Sequence, residues 1–341
     1  MKLVILLIKK IVAYTLILYY SVKFLFGIGL LFLTKKKSEF WIPKDRPTPP
    51  KLLTDKEHGE HKFVHVNGIR LHYVEKGDKS KPLMLFVHGF PEFWYSWRHQ
   101  IREFCQEYWC VAIDMRGYNE SDKPQGVDNY TIDILTSDIR EVVRSLGKEK
   151  VILVSHDWGS VVAWDYLEKH MDTVEKYICM GAPSPIVINR LISTSWTQFR
   201  MSWYIFFFQV PWLPETVNRL FDMKALNFIG YKSTFITKDD IEVYKYVFGK
   251  EGAFTCPINY YRVNFSFTHT LTEHPKPTKY APGLYLIGER DLYISKDTGP
   301  LLQKQFKNLE FKLVPNANHF CQQDQPHEVN KLMREFLSQK Y

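Results

Sequence analysis

The chain has few cysteines, and they lack the paired spacing of metal ligands. Five occur among 341 residues: Cys105, Cys110, Cys179, Cys256 and Cys321. The number is odd and the chain is long, so we expect free thiols rather than a disulfide framework, and no bound metal. Internal repeats and long low-complexity tracts are also missing, which argues against a solenoid architecture.

The chain also lacks a basic stripe interleaved with aromatic residues. Its formal net charge is +8, from 45 lysines and arginines against 37 aspartates and glutamates, but the basic residues are spread widely. Binding to nucleic acid is therefore not expected. Apolar residues make up 45% of the chain and aromatic residues 16%, which suits the deep core of one large α/β domain with an insertion.

The N-terminal segment is apolar and long enough to cross a membrane. Residues 11–33 contain one charge, Lys23, and are bounded by lysines on both sides. As a helix these residues would reach ~34 Å, against a hydrocarbon core of ~30 Å. No clear cleavage site follows, so residues 1–37 are predicted to be a membrane anchor with basic flanks that contacts lipid through residues 11–33. The alternative is an amphipathic hairpin lying on the membrane.

Two clues to the orientation of the chain disagree. Asn119, Asn129 and Asn264 begin glycosylation sequons, which have meaning only in a lumenal domain. Free cysteines are more typical of a reducing compartment. The flanking lysines do not decide between the two, because they occur at both ends of the apolar segment. Orientation and oligomeric state stay open at this level.

The remainder of the chain divides into a spacer and a catalytic domain. Four prolines in residues 38–61 predict a stiff linker. In residues 62–341, Asn67-Gly68 between alternating segments predicts a hairpin, and strand and helix patterns then alternate as in a mostly parallel sheet. The sheet pattern stops near Pro183 and resumes near Gly283. The interval of about 184–280 is predicted to be a helical cap.

The central motif is SHDWG at residues 155–159, between an apolar strand pattern and a helical one. A strand that turns sharply into a helix, with small residues two positions before and after its centre, is a nucleophile elbow. Asp157 stands at the centre, where esterases have serine. A carboxylate can attack saturated carbon and leave an ester that water cleaves, whereas serine would leave an ether. The motif therefore favours an electrophile such as an epoxide or a carbon–halogen bond.

Three other segments supply the remaining machinery in the expected order. HGFPE at residues 88–92 follows a buried strand, so the backbone N–H groups of Phe90 and Trp158 are candidates for an oxyanion hole. Asp291 follows a strand pattern downstream of the elbow, and His319 lies in a late polar loop. Enzymes with such an elbow have the nucleophile, the acid and the histidine in this order along the chain.

Five motifs together resemble the epoxide hydrolase family of α/β-hydrolases, from about Phe63 to the C-terminus, and most closely its membrane-anchored group called epoxide hydrolase 4. They are HGFPE (88–92), DMRGY (114–118), SHDWG (155–159), NYYR (259–262) and NHF (318–320). Asn119 departs from the glycine that is usual there. The resemblance implies an α/β-hydrolase fold, with a mostly parallel eight-stranded sheet flanked by helices, an inserted helical cap and an N-terminal transmembrane helix. It also implies a single-pass anchor in the endoplasmic reticulum or microsomal membrane.

By the same resemblance, Tyr204 and Tyr261 donate protons to the epoxide oxygen, with Tyr260 as the competing choice for the second. A phenol stays protonated at neutral pH and can donate. The expected reaction joins Asp157 to the epoxide carbon, and His319, oriented by Asp291, activates water to release a vicinal diol. The partners are a small lipophilic epoxide, such as a fatty-acid epoxide, and water, without a metal or organic cofactor.

Two alternatives remain for the function. A dehalogenase shares the aspartate elbow but needs indole N–H donors for the halide, for which Trp158 and Trp203 are candidates. A non-catalytic ligand-binding homologue would keep the pocket and lose turnover. The tyrosines and the membrane segment favour the epoxide, and the complete set of catalytic positions argues against the second alternative.

Overall fold

The computed structural model describes residues 2–34, 43–265 and 279–340, and one eight-stranded sheet forms their centre. Its strands are β1 (Glu60–Val66), β2 (Ile69–Lys76), β3 (Leu83–Val87), β4 (Trp109–Ile113), β5 (Val151–His156), β6 (Val174–Met180), β7 (Gly283–Gly288) and β8 (Leu309–Val314). The spatial order is β1-β2-β4-β3-β5-β6-β7-β8. Only the pairs β1–β2 and β2–β4 of this described sheet are antiparallel, which confirms the predicted mostly parallel sheet.

The described residues form thirteen α-helices around this sheet. They are α1 (Lys2–Thr34), α2 (Arg98–Phe104), α3 (Ile132–Ser145), α4 (Trp158–His170), α5 (Pro185–Thr194), α6 (Trp196–Met201), α7 (Trp203–Phe207), α8 (Leu213–Met223), α9 (Lys238–Phe248), α10 (Thr255–Asn264), α11 (Thr298–Gln305), α12 (Cys321–Asp324) and α13 (Pro326–Ser338). Every residue of β3, β4, β5 and β7 is buried, because helices cover both faces of a parallel sheet.

The turn between β1 and β2 follows from two residues. Asn67 and Gly68 both have positive φ, 49° and 74°, which a two-residue type I′ hairpin requires. The pairing of Val66 with Ile69 closes this turn. The hairpin therefore has the form that the asparagine–glycine pair predicts.

Helices α5 to α10 fill the interval between β6 and β7. The chain leaves the sheet after Met180 and returns at Gly283, and Tyr204 and Tyr261 lie on α7 and α10 of this interval. We call helices α5 to α10 the cap. Helix α8 is interrupted where Leu220 adopts an extended conformation. The predicted cap of about 184–280 also includes residues 266–278, which lie outside the described part of the chain.

Helix α1 packs against the cap. Its Phe24 ring stacks on Phe207, with ring centroids 4.1 Å apart, and Trp203 lies 5.9 Å from Phe24 and 5.8 Å from Tyr20. The stretch Lys10–Thr34 has a mean hydropathy of 2.0 and, by length and composition, could cross a membrane. A signal sequence near an N-terminus would have the same properties. The basic flank at 35–37 lies outside the described residues.

The sequon asparagines are held within the fold. Asn119 is buried, and its Nδ2 donates to Asp114 Oδ2 at 2.8 Å. Asn264 Nδ2 donates to two backbone carbonyls, and its Oδ1 accepts from the Ile132 N–H. Asn129 Nδ2 donates to the Gln125 carbonyl. Asn119 also has a φ of 39°, so asparagine accommodates the left-handed turn in which glycine is usual.

Candidate active site

Asp157 stands at a strained turn between β5 and α4. Its φ and ψ are 49° and −119°, a conformation that costs roughly 1–3 kcal/mol and persists only where the surroundings enforce it. The Asp157 N–H donates to the Met180 carbonyl, and the Asp157 carbonyl accepts from Val161 on the first turn of α4. The residue is only 8% exposed. This is the geometry of the predicted nucleophile elbow.

The loop after β3 meets this elbow. Strands β3 and β5 are neighbours although β4 lies between them in the sequence, so their carboxyl ends form a switch point of the kind at which α/β sheets bind ligands. The Phe90 N–H donates to Asp157 Oδ1 at 2.7 Å. Trp158 begins α4, and the first N–H groups of a helix have no intrahelical acceptor. Of the two predicted oxyanion-hole donors, the Phe90 N–H thus contacts the carboxylate, and Trp158 directly follows Asp157 in the chain.

The structure also brings His319 and Asp291 to Asp157. His319 Nε2 lies 3.4 Å from Asp157 Oδ2, and His319 Nδ1 lies 2.8 Å from Asp291 Oδ2. The other oxygen of Asp291 accepts from the backbone N–H groups of Tyr293 and Ile294, at 2.7 and 2.9 Å. Asp291 thus has one oxygen bound to its own loop and the other oriented toward the imidazole.

The charges of these three groups are coupled. Burial alone would raise the pKa of Asp157, but the hydrogen bond and charge of His319 lower it below its usual value. Burial alone would lower the pKa of His319, but Asp291 and Asp157 together raise it to about 10. At neutral pH the resting site therefore holds an imidazolium between two carboxylates.

Tyr204 and Tyr261 come together from two cap helices. Their rings meet edge to face with centroids 5.8 Å apart, and Tyr261 lies 4.9 Å from the Trp158 ring. Burial, with the nearby negative charge of Asp157, raises the pKa of both phenols well above the usual value. Both hydroxyls therefore stay protonated and can act as donors.

Tyr260, the competing choice, faces another part of the core. Its hydroxyl donates to the Arg116 carbonyl at 2.7 Å, and its ring packs against Tyr118 and Tyr130. Successive residues of a helix point in different directions, so Tyr260 and Tyr261 cannot face the same oxygen. The geometry assigns the cap-side position to Tyr261.

A buried pair beneath the site was missed by the sequence reasoning. Glu92 Oε2 accepts from the Gly89 N–H and lies 2.7 Å from His156 Nδ1. His156 Nε2 in turn donates to the His319 carbonyl at 2.9 Å. The pair thus connects the Phe90 loop, the elbow and the His319 loop. Both residues stand inside the quoted motifs, but the strand pattern gives no sign that they meet.

A third tyrosine at the site was also missed. The Tyr293 ring lies 5.0 Å from the His319 ring and 5.5 Å from that of Tyr204. Burial and the nearby carboxylates raise the pKa of Tyr293 to about 12. Its position two residues after Asp291 is the only sequence signal, and it is a weak one in a chain with 20 tyrosines.

All five cysteines are free and buried. Across residues 2–34, 43–265 and 279–340, no three histidine, cysteine, aspartate or glutamate side chains are grouped so as to hold a metal ion.

Comparison with known proteins places this site in a family. The model of a family described as alpha/beta hydrolase fold matches residues 82–326. Epoxide hydrolase 1 of Caenorhabditis elegans is 42% identical over 328 residues, which cover 94% of this chain and 79% of that protein. Epoxide hydrolase 4 of Homo sapiens is 41% identical over 306 residues, covering 86% of this chain and 83% of that protein.

A solved structure shows the same fold. The epoxide hydrolase of Bacillus megaterium, crystallised with an inhibitor, is 32% identical and has a TM-score of 0.76. The match covers 82% of this chain and all of that one. An epoxide hydrolase of Vigna radiata, at 28% identity, has a TM-score of 0.70 and matches 83% of this chain and 99% of its own.

Proposed function

The chain belongs to the epoxide hydrolase family of α/β-hydrolases, and from this premise we propose that it converts lipophilic epoxides to vicinal diols through an ester on Asp157. The observation that carries the proposal is the arrangement around one carboxylate. Asp157 Oδ1 is held by the Phe90 N–H at 2.7 Å and Oδ2 lies 3.4 Å from His319. Oδ2 is thus the oxygen available for attack.

The first step opens the ring. Asp157 Oδ2 bonds to a ring carbon, the carbon–oxygen bond breaks, and its electron pair goes to the epoxide oxygen. Tyr204 and Tyr261 hydrogen-bond to this oxygen, and one of them gives it a proton. The resulting tyrosinate is neutralised by the proton of the His319 imidazolium, directly or through water. The products of this step are a hydroxyalkyl ester and a neutral imidazole.

The second step cleaves the ester. Ester formation removes the charge of Asp157, one of the two carboxylates that raise the pKa of His319. The pKa of His319 therefore falls, and the imidazole stays neutral until it accepts a proton from the attacking water. The hydroxide adds to the ester carbonyl, and the Phe90 and Trp158 N–H groups stabilise the oxyanion. The intermediate collapses, its hydroxyl proton passes to the departing alkoxide, and the diol leaves. Carboxylate and imidazolium are restored.

The sharpest test traps the ester. His319→Gln can still hydrogen-bond to Asp291 but cannot serve as the base, so steady turnover should fall by ~10²–10⁴-fold while the ester accumulates. Mass spectrometry of the peptide that contains Asp157 should show the added mass of the epoxide. The exposed His327→Gln is the matched control and should turn over normally without an adduct. An unmodified peptide in His319→Gln would refute the ester mechanism.

A second test follows the oxygen of water. In a single turnover in ¹⁸O-water, the label should enter the Asp157 carboxylate and the first diol should be unlabelled. Direct attack of water on the epoxide would instead label the diol at once.

The dehalogenase alternative is less well supported by the contacts. Trp203, its cap-side indole candidate, packs on Tyr20 and Phe24 of α1, not on Asp157. Halide release from haloalkanes should accordingly be absent when diol formation is present. A non-catalytic homologue would bind the epoxides without forming diols. Measuring binding and diol formation with the same epoxides therefore distinguishes such a homologue from an enzyme.

The walls of the site support lipophilic substrates. Phe208 lies 4.8 Å from the Tyr261 ring, Phe90 lies 5.4 Å from Phe208, and Phe228 lies 6.2 Å from Tyr293. Burial of an apolar chain against these rings removes it from water, which makes binding more favourable. Long-chain epoxides, such as fatty-acid epoxides, should show a kcat/KM well above that of small polar epoxides. Equal values across such a panel would contradict this assignment.

We also propose that α1 attaches the enzyme to a membrane. The resemblance to the membrane-anchored group of the family points to the endoplasmic reticulum. Tyr20 and Phe24, which contact the cap, lie near the middle of Lys10–Thr34. If α1 crossed the membrane perpendicular to its plane, the part of the cap that contacts Tyr20 and Phe24 would lie in the hydrocarbon core. The packing therefore favours a helix that lies along the cap at the membrane surface. The sequence predicts a single-pass span for residues 11–33 instead. Tags at the two chain ends of the intact protein should then share one side of the membrane. Tags on opposite sides would establish the crossing helix.

A further inference from the structure

A groove separates α1 from the cap, on the far side of α7 from the catalytic residues. Its volume is about 550 Å³, within the range of ~300–1,000 Å³ that is usual for small-molecule sites. Tyr20 and Phe24 of α1 form one wall, and Trp196 and Trp203 of the cap form the other. The groove is therefore largely aromatic and lies between α1 and the cap.

Two cations line this aromatic groove. Lys23 is the one charged residue in residues 11–33, and Arg200 of α6 lines the same groove. Neither forms an ion pair with a carboxylate of residues 2–34, 43–265 or 279–340; the contact recorded for Lys23 is with the Tyr20 ring, 6.0 Å from its centroid. Both cations are exposed, so the groove presents two positive charges to a ligand that enters from outside. Among the described residues, two cations and no carboxylate line this groove.

The size of the groove suits a single acyl chain. If each methylene takes the ~30 Å³ that a water molecule occupies in the liquid, the groove accommodates about eighteen carbon atoms. That is the size of one long acyl chain.

We propose that this groove binds a long-chain carboxylate, with the head group on Lys23 and Arg200 and the chain along the aromatic walls. Arg200 can bind a carboxylate with two parallel hydrogen bonds, and Lys23 adds a point charge. The groove is separate from the catalytic pocket, because Trp203 of α7 faces α1 whereas Tyr204 faces Tyr261. The proposal therefore stands whether or not the bound acid is itself a substrate.

The test measures equilibrium binding of radiolabelled oleate and of methyl oleate to the intact chain in a neutral detergent. The two probes share the acyl chain and differ in charge, so oleate should bind at least tenfold more tightly. The double variant Lys23→Gln with Arg200→Gln should bind oleate no better than the ester. Matched controls are Lys10→Gln on α1 and Arg190→Gln on α5, which remove cations that do not line the groove and should leave oleate binding unchanged.

Two further arms keep the result decisive. Lys23→Glu with Arg200→Glu should lose oleate and gain binding of oleylamine, which a merely misfolded variant would not do. Competition with vesicles of phosphatidylglycerol should not displace oleate more than vesicles of phosphatidylcholine do; selective displacement would assign the groove to a phospholipid head group and overturn the proposal. Equal affinity for oleate and its ester, or an equal loss in the control variants, would overturn it as well.

Discussion

The nucleophile side of the site is held by hydrogen bonds at strand ends, whereas the tyrosine side is held by aromatic packing between short helices. Asp157 is bound through its backbone to Met180 and through its carboxylate to Phe90. Tyr204 lies on the five-residue helix α7, and its ring packs against those of Tyr261, Phe208 and Tyr293. The sheet side is thus fixed by directional bonds and the cap side by shape. Substitutions should therefore lower kcat steeply on the sheet side and by smaller steps on the cap side.

The largest effect is expected at the nucleophile. Asp157→Ala removes the attacking carboxylate, and loss of a covalent nucleophile costs up to roughly 10⁶-fold in kcat. The measurement is diol formation from a long-chain epoxide. Asp172→Ala, an exposed aspartate after α4, is the control and should leave kcat unchanged. Appreciable turnover by Asp157→Ala would mean that the sheet side does not perform the covalent step.

The cap side should show a smaller and shared effect. Tyr204→Phe and Tyr261→Phe each keep the ring and remove one donor, so each should lower kcat by ~10²-fold and the pair by ~10³–10⁴-fold. Tyr260→Phe is the matched control: it loses a hydrogen bond to Arg116, which costs about 1 kcal/mol of stability, and should retain kcat. A larger loss of kcat in Tyr260→Phe than in Tyr261→Phe would reverse the assignment.

The charge pairing of the sheet side should appear in the pH dependence of stability. The pKa of His319 is raised from 6.5 to about 10, so the folded state binds its proton more tightly. The stabilisation of the folded state by this proton is complete below about pH 6.5, and it is lost as the pH rises toward 10. Wild type should lose a few kcal/mol of unfolding free energy relative to His319→Gln between pH 6.5 and 10.

Thermal or denaturant unfolding of the two proteins across this range gives the measurement. Lysines and tyrosines that titrate near pH 10 affect both proteins alike and cancel in the difference. His327→Gln should follow wild type at every pH. A difference between wild type and His319→Gln that stays constant with pH would contradict the imidazolium assigned to the resting site.

The smallest effect is a steric one on the sheet side, with a glycine of α1 as its control. A methyl group at Gly159 would overlap the carbonyl oxygens of Val87 and His88, so Gly159→Ala should destabilise the elbow by ~1–3 kcal/mol. A methyl group at Gly29 on α1 meets no atom within 4 Å, so Gly29→Ala should be neutral or slightly stabilising. Unfolding midpoints of the two variants give the comparison. Equal midpoints would mean that the elbow tolerates a shift of β3 against α4.

The sequence was sufficient where function follows from local chain geometry. Asp157, Asp291 and His319 each follow a strand pattern, and parallel strands bring their carboxyl ends to one edge, so their meeting could be anticipated from order alone. Tyr204 and Tyr261 could not be derived in this way, since the packing of cap helices depends on side-chain shape; they came from resemblance. Tyr293 and the Glu92–His156 pair were missed because their partners lie far apart in the chain.

By itself the amino-acid sequence determined the elbow, the alternation of strands and helices, and the apolar N-terminal helix, because each depends on the pattern of neighbouring residues. Only the tertiary structure decided that Tyr261 rather than Tyr260 meets Tyr204, that Asn119 and Asn264 are held by hydrogen bonds, and that Lys23 and Arg200 share one groove. These facts depend on contacts between residues distant along the chain, and a pattern of neighbours contains no information about them.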